Sequence, residues 1–195
     1  MNHLAHLFLS AHSEPLMVGN FIADSVKGRR WNDYSPAVSQ GILMHRAIDS
    51  FTDTHALVSE SKQLLRPHYG LYSGILVDLF YDHFLAAGWH RFSALPLAAF
   101  AAKVYAVLES YLPIMPERNR IMFPYMKQEN WLIRYATVNG IRLTLHQLSR
   151  RMPSRPDFTD AHEFLLRHHE LLQQHFDRFF PDLQNFLHNR WPSAA

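Results

Sequence analysis

The sequence predicts an all-α protein, a single-domain bundle of about seven to nine helices. Two observations carry that expectation. Glycine is scarce, with 7 in 195 residues, and no alternating strand pair flanks an Asn-Gly or Asp-Gly turn. Apolar residues instead recur at the helical period of about 3.6.

Each element has a local reason. An apolar stretch from Leu4 to Ser10 reads as a first helix. Pro15 suits the first turn of a second, running to about Lys27. Ser35-Pro36 combines a cap with a proline at the first helical position and opens a third, reaching about Asp53. A short helix from Leu57 to Leu65 should end before Pro67, and Leu71 to Gly88 reads as a long buried one. Leu95 to Leu112 is stopped by Pro113 and Pro116. Glu117 to Tyr135 forms one or two helices, and Thr137 to Arg151 another. The run Met152-Pro153-Ser154-Arg155-Pro156 breaks the chain. A last helix begins near Asp157 or Thr159 and ends about Phe179, before Pro181. The 152–156 break is a loop inside one domain, because one terminal helix cannot build its own core.

Composition narrows the function. Apolar residues are 48% and charged residues 18%, which is globular, with much of the chain inside. The absence of cysteine excludes disulfides, thiolate metal sites and a cysteine nucleophile, and fits a reducing cytoplasm. His3, His6 and His12 interrupt the N-terminal apolar stretch, which lacks a basic leader, so it is not a signal peptide. No run reaches the ~18 apolar residues of a membrane span. A net charge of +2 argues against nucleic acid as a partner. The 14 histidines are the unusual count, since imidazole is the commonest metal ligand.

Three segments place acids and histidines in apolar helices: Gly19 to Asp24, Met44 to Asp53, and Val77 to Phe84. On a helix, His45 and Asp49 share a face, with Asp53 at its edge and Arg46 one step round. A His–Asp pair at i and i+4 can reach one cation, or the acid can orient a ligating imidazole. The competing reading is a surface ion pair of Arg46 with Asp49 or Asp53. Asp78 and Asp82 also lie four apart beside Ile75, Leu76, Leu79, Phe80 and Phe84. Two like charges at the edge of a core repel and lose hydration, and a divalent cation removes that conflict. Alternatively, both acids face water and His83 is a hydrogen-bonded core residue. Asp24 gains interest from Lys27, Arg29 and Arg30, a cationic rim suited to a phosphodiester or simply a solvated basic turn. His6 reads as a core histidine of second rank. His162, His168, His169 and His175 read as surface residues. Trp131, Tyr135, Phe176, Phe179 and Phe180 read as core or groove.

Several of these segments are familiar together. Met1 to Leu7, Gly19-Asn20-Phe21-Ile22-Ala23-Asp24, Gly41 to Asp49 and Asp78-Leu79-Phe80-Tyr81-Asp82-His83-Phe84 resemble the bacterial acyl carrier protein phosphodiesterase family. The likeness continues through Asn130-Trp131-Leu132-Ile133-Arg134-Tyr135 and Arg150 to Arg155, in one order across nearly the whole chain. The resemblance implies an HD-domain-like bundle and dependence on Mn²⁺ or Mg²⁺. It also implies removal of the 4′-phosphopantetheine arm from a serine of holo carrier protein. The adjacent His-Asp of HD hydrolases is replaced here by His45-Arg46 with Asp49 later, and by a reversed Asp82-His83.

The resulting expectation gives Asp24, His45, Asp78 and Asp82 to one or two divalent ions, Mn²⁺ first, with Mg²⁺ or Fe²⁺ as substitutes. Asp49 and His83 stand beside them, Arg46 or Lys27 offsets phosphate charge, and His83 protonates the leaving oxygen. Basic residues Lys27, Arg29, Arg30, Arg150, Arg151 and Arg155 would receive an acidic carrier protein. Two rivals remain: a phosphohydrolase of small nucleotides or phosphoesters, and a non-catalytic helical binding protein.

Overall fold

The structure, a computed structural model, describes residues 1–151 and 157–191, with the side chain of residue 151 outside that description. Among the described residues there is no strand. The chain runs through α1 (His3–Leu9), α2 (Glu14–Ile22), α3 (Pro36–Thr54), α4 (Ala56–Tyr69), α5 (Ser73–Ala87) and α6 (Leu97–Ser110). It continues with α7 (Glu117–Gln128), α8 (Trp131–Arg134), α9 (Val138–Arg151), α10 (Ala161–Arg167) and α11 (His169–Arg190). Short 3₁₀ turns join several of them. The count exceeds seven to nine because two regions divide. Asn130, left-handed at φ 50°, separates α7 from α8, and a turn at His168 separates α10 from α11.

Ser35 and Pro36 open α3 at the positions their types predict. The second helix ends sooner than Lys27: α2 stops at Ile22 and tightens into the 3₁₀ turn Ala23–Ser25 that carries Asp24. Proline proves a weaker stop than expected. Pro67 lies inside α4 and Pro181 inside α11. Each forfeits a backbone bond. Buried Leu65 and Tyr69 flank the first, and Phe179, Phe180, Leu183 and Leu187 the second, so packing outweighs the loss.

α5 is central, with Leu76, Val77, Phe80, Tyr81 and Leu85 fully buried. α1, α4, α9 and α11 pack against it. α2 and α3 form the most intimate pair. Their contact depends on Gly19 and Gly41. A Cβ on Gly19 would collide with the Val38 carbonyl and reach 2.9 Å from Gly41 Cα, and a Cβ on Gly41 would strike the Leu16 carbonyl. That approach places Asn20 of α2 against His45 of α3.

Gly41→Ala is expected to cost about 2–3 kcal/mol net, because overpacking outweighs the ~1 kcal/mol gained in helix propensity. Thermal unfolding should show a fall of roughly 5–10 °C. Gly74→Ala, where a Cβ meets only Lys62 Cε at 3.7 Å, should leave the midpoint unchanged or higher.

Candidate active site

A cavity of about 290 Å³ lies where α1, α2 and α3 meet, lined among others by His3, His6, Asn20, Asp24, His45 and Asp49. Asn20 organises it. Its Nδ2 donates to the His6 carbonyl at 3.1 Å, which fixes the orientation of the amide. Its Oδ1 therefore faces both imidazoles, accepting from His6 Nδ1 at 2.9 Å and His45 Nδ1 at 3.0 Å. The two rings stack with centroids 4.0 Å apart. Both Nδ1 atoms carry hydrogen, so both Nε2 atoms are turned to the carboxylates. His6 Nε2 is 3.1 Å from Asp49 Oδ1. His45 Nε2 is 3.1 Å from Asp49 Oδ2 and 3.3 Å from Asp24 Oδ1.

Two stacked imidazoles cannot both hold a charge cheaply. Burial, together with the neighbouring His45 charge, lowers His6 to about 4. Burial also acts against a charge on His45, but the hydrogen bonds it donates to Asp24 and Asp49 raise it to about 9. The His45 hydrogen bond in turn holds Asp24 at about 2. Burial would favour neutral Asp49, yet contacts from His45 and His6 keep it far below the usual carboxylate range. At neutral pH, His6 Nε2 is thus a bare lone pair 3.1 Å from an ionised oxygen, acceptor facing acceptor. A cation between them removes that repulsion. His6, His45 and Asp49 offer ligand atoms all within 4.8 Å of one another, a mixed nitrogen and oxygen set that fits a divalent metal.

The structure brings together three of the residues singled out in the sequence, Asp24, His45 and Asp49, and sets others apart. Asp78 stands at the cavity edge, 3.0 Å from the Met1 α-amino nitrogen. Asp82 is fully buried outside the cavity, and its oxygens accept the amides of Leu4 at 2.7 Å and Ala5 at 3.2 Å. It anchors α1, and hence His3 and His6, to α5. Burial raises its carboxyl to about 7, against those hydrogen bonds. His83 also lies away from the cavity: its Nδ1 donates to the Tyr135 carbonyl at 2.8 Å, and burial lowers its affinity for a proton.

Arg46 turns outward. It donates to the carbonyls of Gly28 at 2.9 Å and Val26 at 2.8 Å, holding the basic turn rather than a carboxylate. Lys27, Arg29 and Arg30 are exposed on that turn, a few residues from Asp24. Asp53 pairs with Lys62 at 2.7 Å. Arg150 is exposed, while Arg155 and the Arg151 side chain lie outside the described residues. His175, expected at the surface, is buried, with Nδ1 2.9 Å from Ser61 Oγ and Nε2 3.5 Å from Glu60. Ser61 is fully buried, so this Ser–His–Glu chain offers no accessible nucleophile.

Sequence reasoning undervalued His6 and gave Asn20 no role, although both lie in segments it singled out. It also missed His3, which lines the cavity and which burial lowers to about 4. The cavity adjoins a larger groove of about 460 Å³, with Met1, Asn2, His3, Asp24 and Asp78 lining both.

Residues 1–183 match a family model described as acyl carrier protein phosphodiesterase. A relative of that name from Klebsiella pneumoniae subsp. pneumoniae is 34% identical over 191 residues, covering 97% of this chain and 99% of its own. One from Photorhabdus laumondii is 32% identical over 191 residues, covering 97% and 96%. One from Salmonella dublin is 35% identical over 182 residues, covering 93% and 94%. No solved structure matches the chain. No helix among the described residues is long and apolar enough to cross a membrane.

His45 generates a pH dependence. Its folded pKa of about 9 exceeds the unfolded value of 6.5. The stability it contributes, on the order of 3 kcal/mol, is complete below pH 6.5 and lost as pH rises through 9. Urea unfolding of metal-free protein should show that decline, and the difference between wild type and His45→Gln should shrink across the same window.

Proposed function

The chain belongs to the acyl carrier protein phosphodiesterase family, and from that premise we propose that it removes the 4′-phosphopantetheine arm from holo acyl carrier protein in a metal-dependent hydrolysis. The observation that carries this reading is the His6–His45–Asp49 cluster on the wall of an open cavity. His6, His45 and Asp49, with Asp24 beside them, would hold the ion. Mn²⁺ suits imidazole mixed with carboxylate, with Fe²⁺ and Mg²⁺ as substitutes. When bound, such an ion polarises a phosphate oxygen and lowers the pKa of a water.

The chain's own groups do the rest. Asn20 keeps both Nε2 atoms turned inward, so no rotation is needed when the ion arrives. His45 gives up its Nε2 proton on loading, which makes affinity rise with pH. In the reaction, water adds to phosphorus, the bond from phosphorus to the serine oxygen breaks, and that oxygen takes a proton. His3 is better placed than His83 to supply it, since His3 lines the cavity. An anionic phosphodiester beside His3 raises its affinity for a proton. Asp78 faces the same space and keeps the Met1 end of α1 in place. Lys27, Arg29 and Arg30 present positive charge beside Asp24, where an acidic carrier protein would dock, and Arg46 holds their turn in position. Arg150 adds a further exposed cation. A reducing cytoplasm fits a chain without cysteine.

Mass spectrometry of holo carrier protein incubated with the Mn²⁺-loaded chain should show loss of the arm, and none after chelation. His6→Ala and Asp49→Ala should each lower turnover by about 10³-fold or more, in line with loss of a metal ligand. Asn20→Ala should weaken Mn²⁺ binding by about 10–100-fold. If His6→Ala and Asp49→Ala keep full Mn²⁺-dependent turnover, the site is elsewhere.

Charge reversal at Lys27, Arg29 and Arg30 should raise KM in low salt and flatten its salt dependence, with kcat little changed. An unchanged KM at low ionic strength would remove the basic turn from the docking surface.

A further inference from the structure

The segment from Asn130 to Tyr135 has no part in the cluster, yet it builds one wall of the adjoining groove. We propose that this groove is the binding site for the pantetheine portion of the prosthetic arm, an inference that rests on the proposed function. Trp131 of α8 faces Ile75 and Leu79 of α5 and Met122 of α7 across about 460 Å³. That size is within the roughly 300–1,000 Å³ of small-molecule sites, and its form is concave. Its walls mix these apolar side chains with Arg118 and Gln147. Pantetheine has the same mixture: a gem-dimethyl carbon and methylene runs, broken by a hydroxyl and two amides.

Continuity fixes the direction. Five residues line both the cavity over the cluster and the groove, so a phosphate placed over His6, His45 and Asp49 has an uninterrupted path for the chain attached to it. Ile75 stays 39% exposed on a helix that is otherwise largely buried. An occupant of the groove covers it. Arg118 is exposed and has no ion-pair partner among the described residues, so its guanidinium is available to amide carbonyls.

The test titrates the Mn²⁺-loaded protein calorimetrically with free 4′-phosphopantetheine and, separately, with inorganic phosphate. Wild type should bind 4′-phosphopantetheine at least about tenfold more tightly than phosphate, the gain expected from burying a few methylenes. Ile75→Trp and Met122→Trp, which fill the groove from opposite walls, should each erase that advantage. Both should keep the affinity for Mn²⁺ and phosphate, which also reports that they fold, and should raise KM for holo carrier protein by about tenfold. Equal affinity of wild type for the two ligands, or two variants that bind 4′-phosphopantetheine as wild type does while the arm is still released, would overturn the groove assignment and leave the proposed function standing. A Mn²⁺-loaded wild type that leaves holo carrier protein intact would overturn both.

Discussion

One amide oxygen governs the site. Asn20 Oδ1 accepts from two imidazoles, and its own nitrogen is tied to the carbonyl of His6. A buried amide with these partners has one low-energy orientation, and that orientation sets both tautomers. The arrangement needs α1, α2 and α3 within one side chain's reach. Gly19 and Gly41 supply the α2–α3 approach, because any Cβ there meets a main-chain carbonyl. Asp82 fixes α1 by binding two of its amides to α5. The α2–α3 packing and the hydrogen bonds of Asn20 are therefore parts of one device.

The electrostatics follow from that geometry. Two buried imidazoles in a stack, with two partly exposed carboxylates at their Nε2 atoms, favour one positive charge. A proton on His45 fills that role in the bare protein and brings Asp24 and Asp49 well below their ordinary range. A divalent ion held by His6, His45 and Asp49 would take the place of that proton. The contact between His6 Nε2 and Asp49 is the one that a cation held there would relieve.

Much of the fold was legible because it rests on local rules. Ser35-Pro36 started α3 and helical periodicity gave the long buried α5. Pro67 and Pro181 misled, since a proline's local cost is visible in sequence and the packing of Phe179 or Leu183 around it is not. The same division runs through the site. His45 and Asp49 are one turn apart on one helix, so their pairing could be read directly. Asp78 and Asp82 are also one turn apart, but periodicity says only that they share a stripe. It does not say that α1 covers the second and leaves the first at the cavity edge. His6 and Asn20 sit on different helices with Pro15 between them, and only the tertiary fold joins them.

The chain divides its labour along its length. Every member of the cluster, from His6 to Asp49, comes from the first 49 residues, whereas Ile75, Met122, Trp131 and Gln147 of the neighbouring groove come from later helices. Few side chains serve both, and those few are at the N-terminal end or at Asp24 and Asp78. On the proposed reading, a substitution in the later helices would reshape the groove while leaving the three-residue cluster as it is.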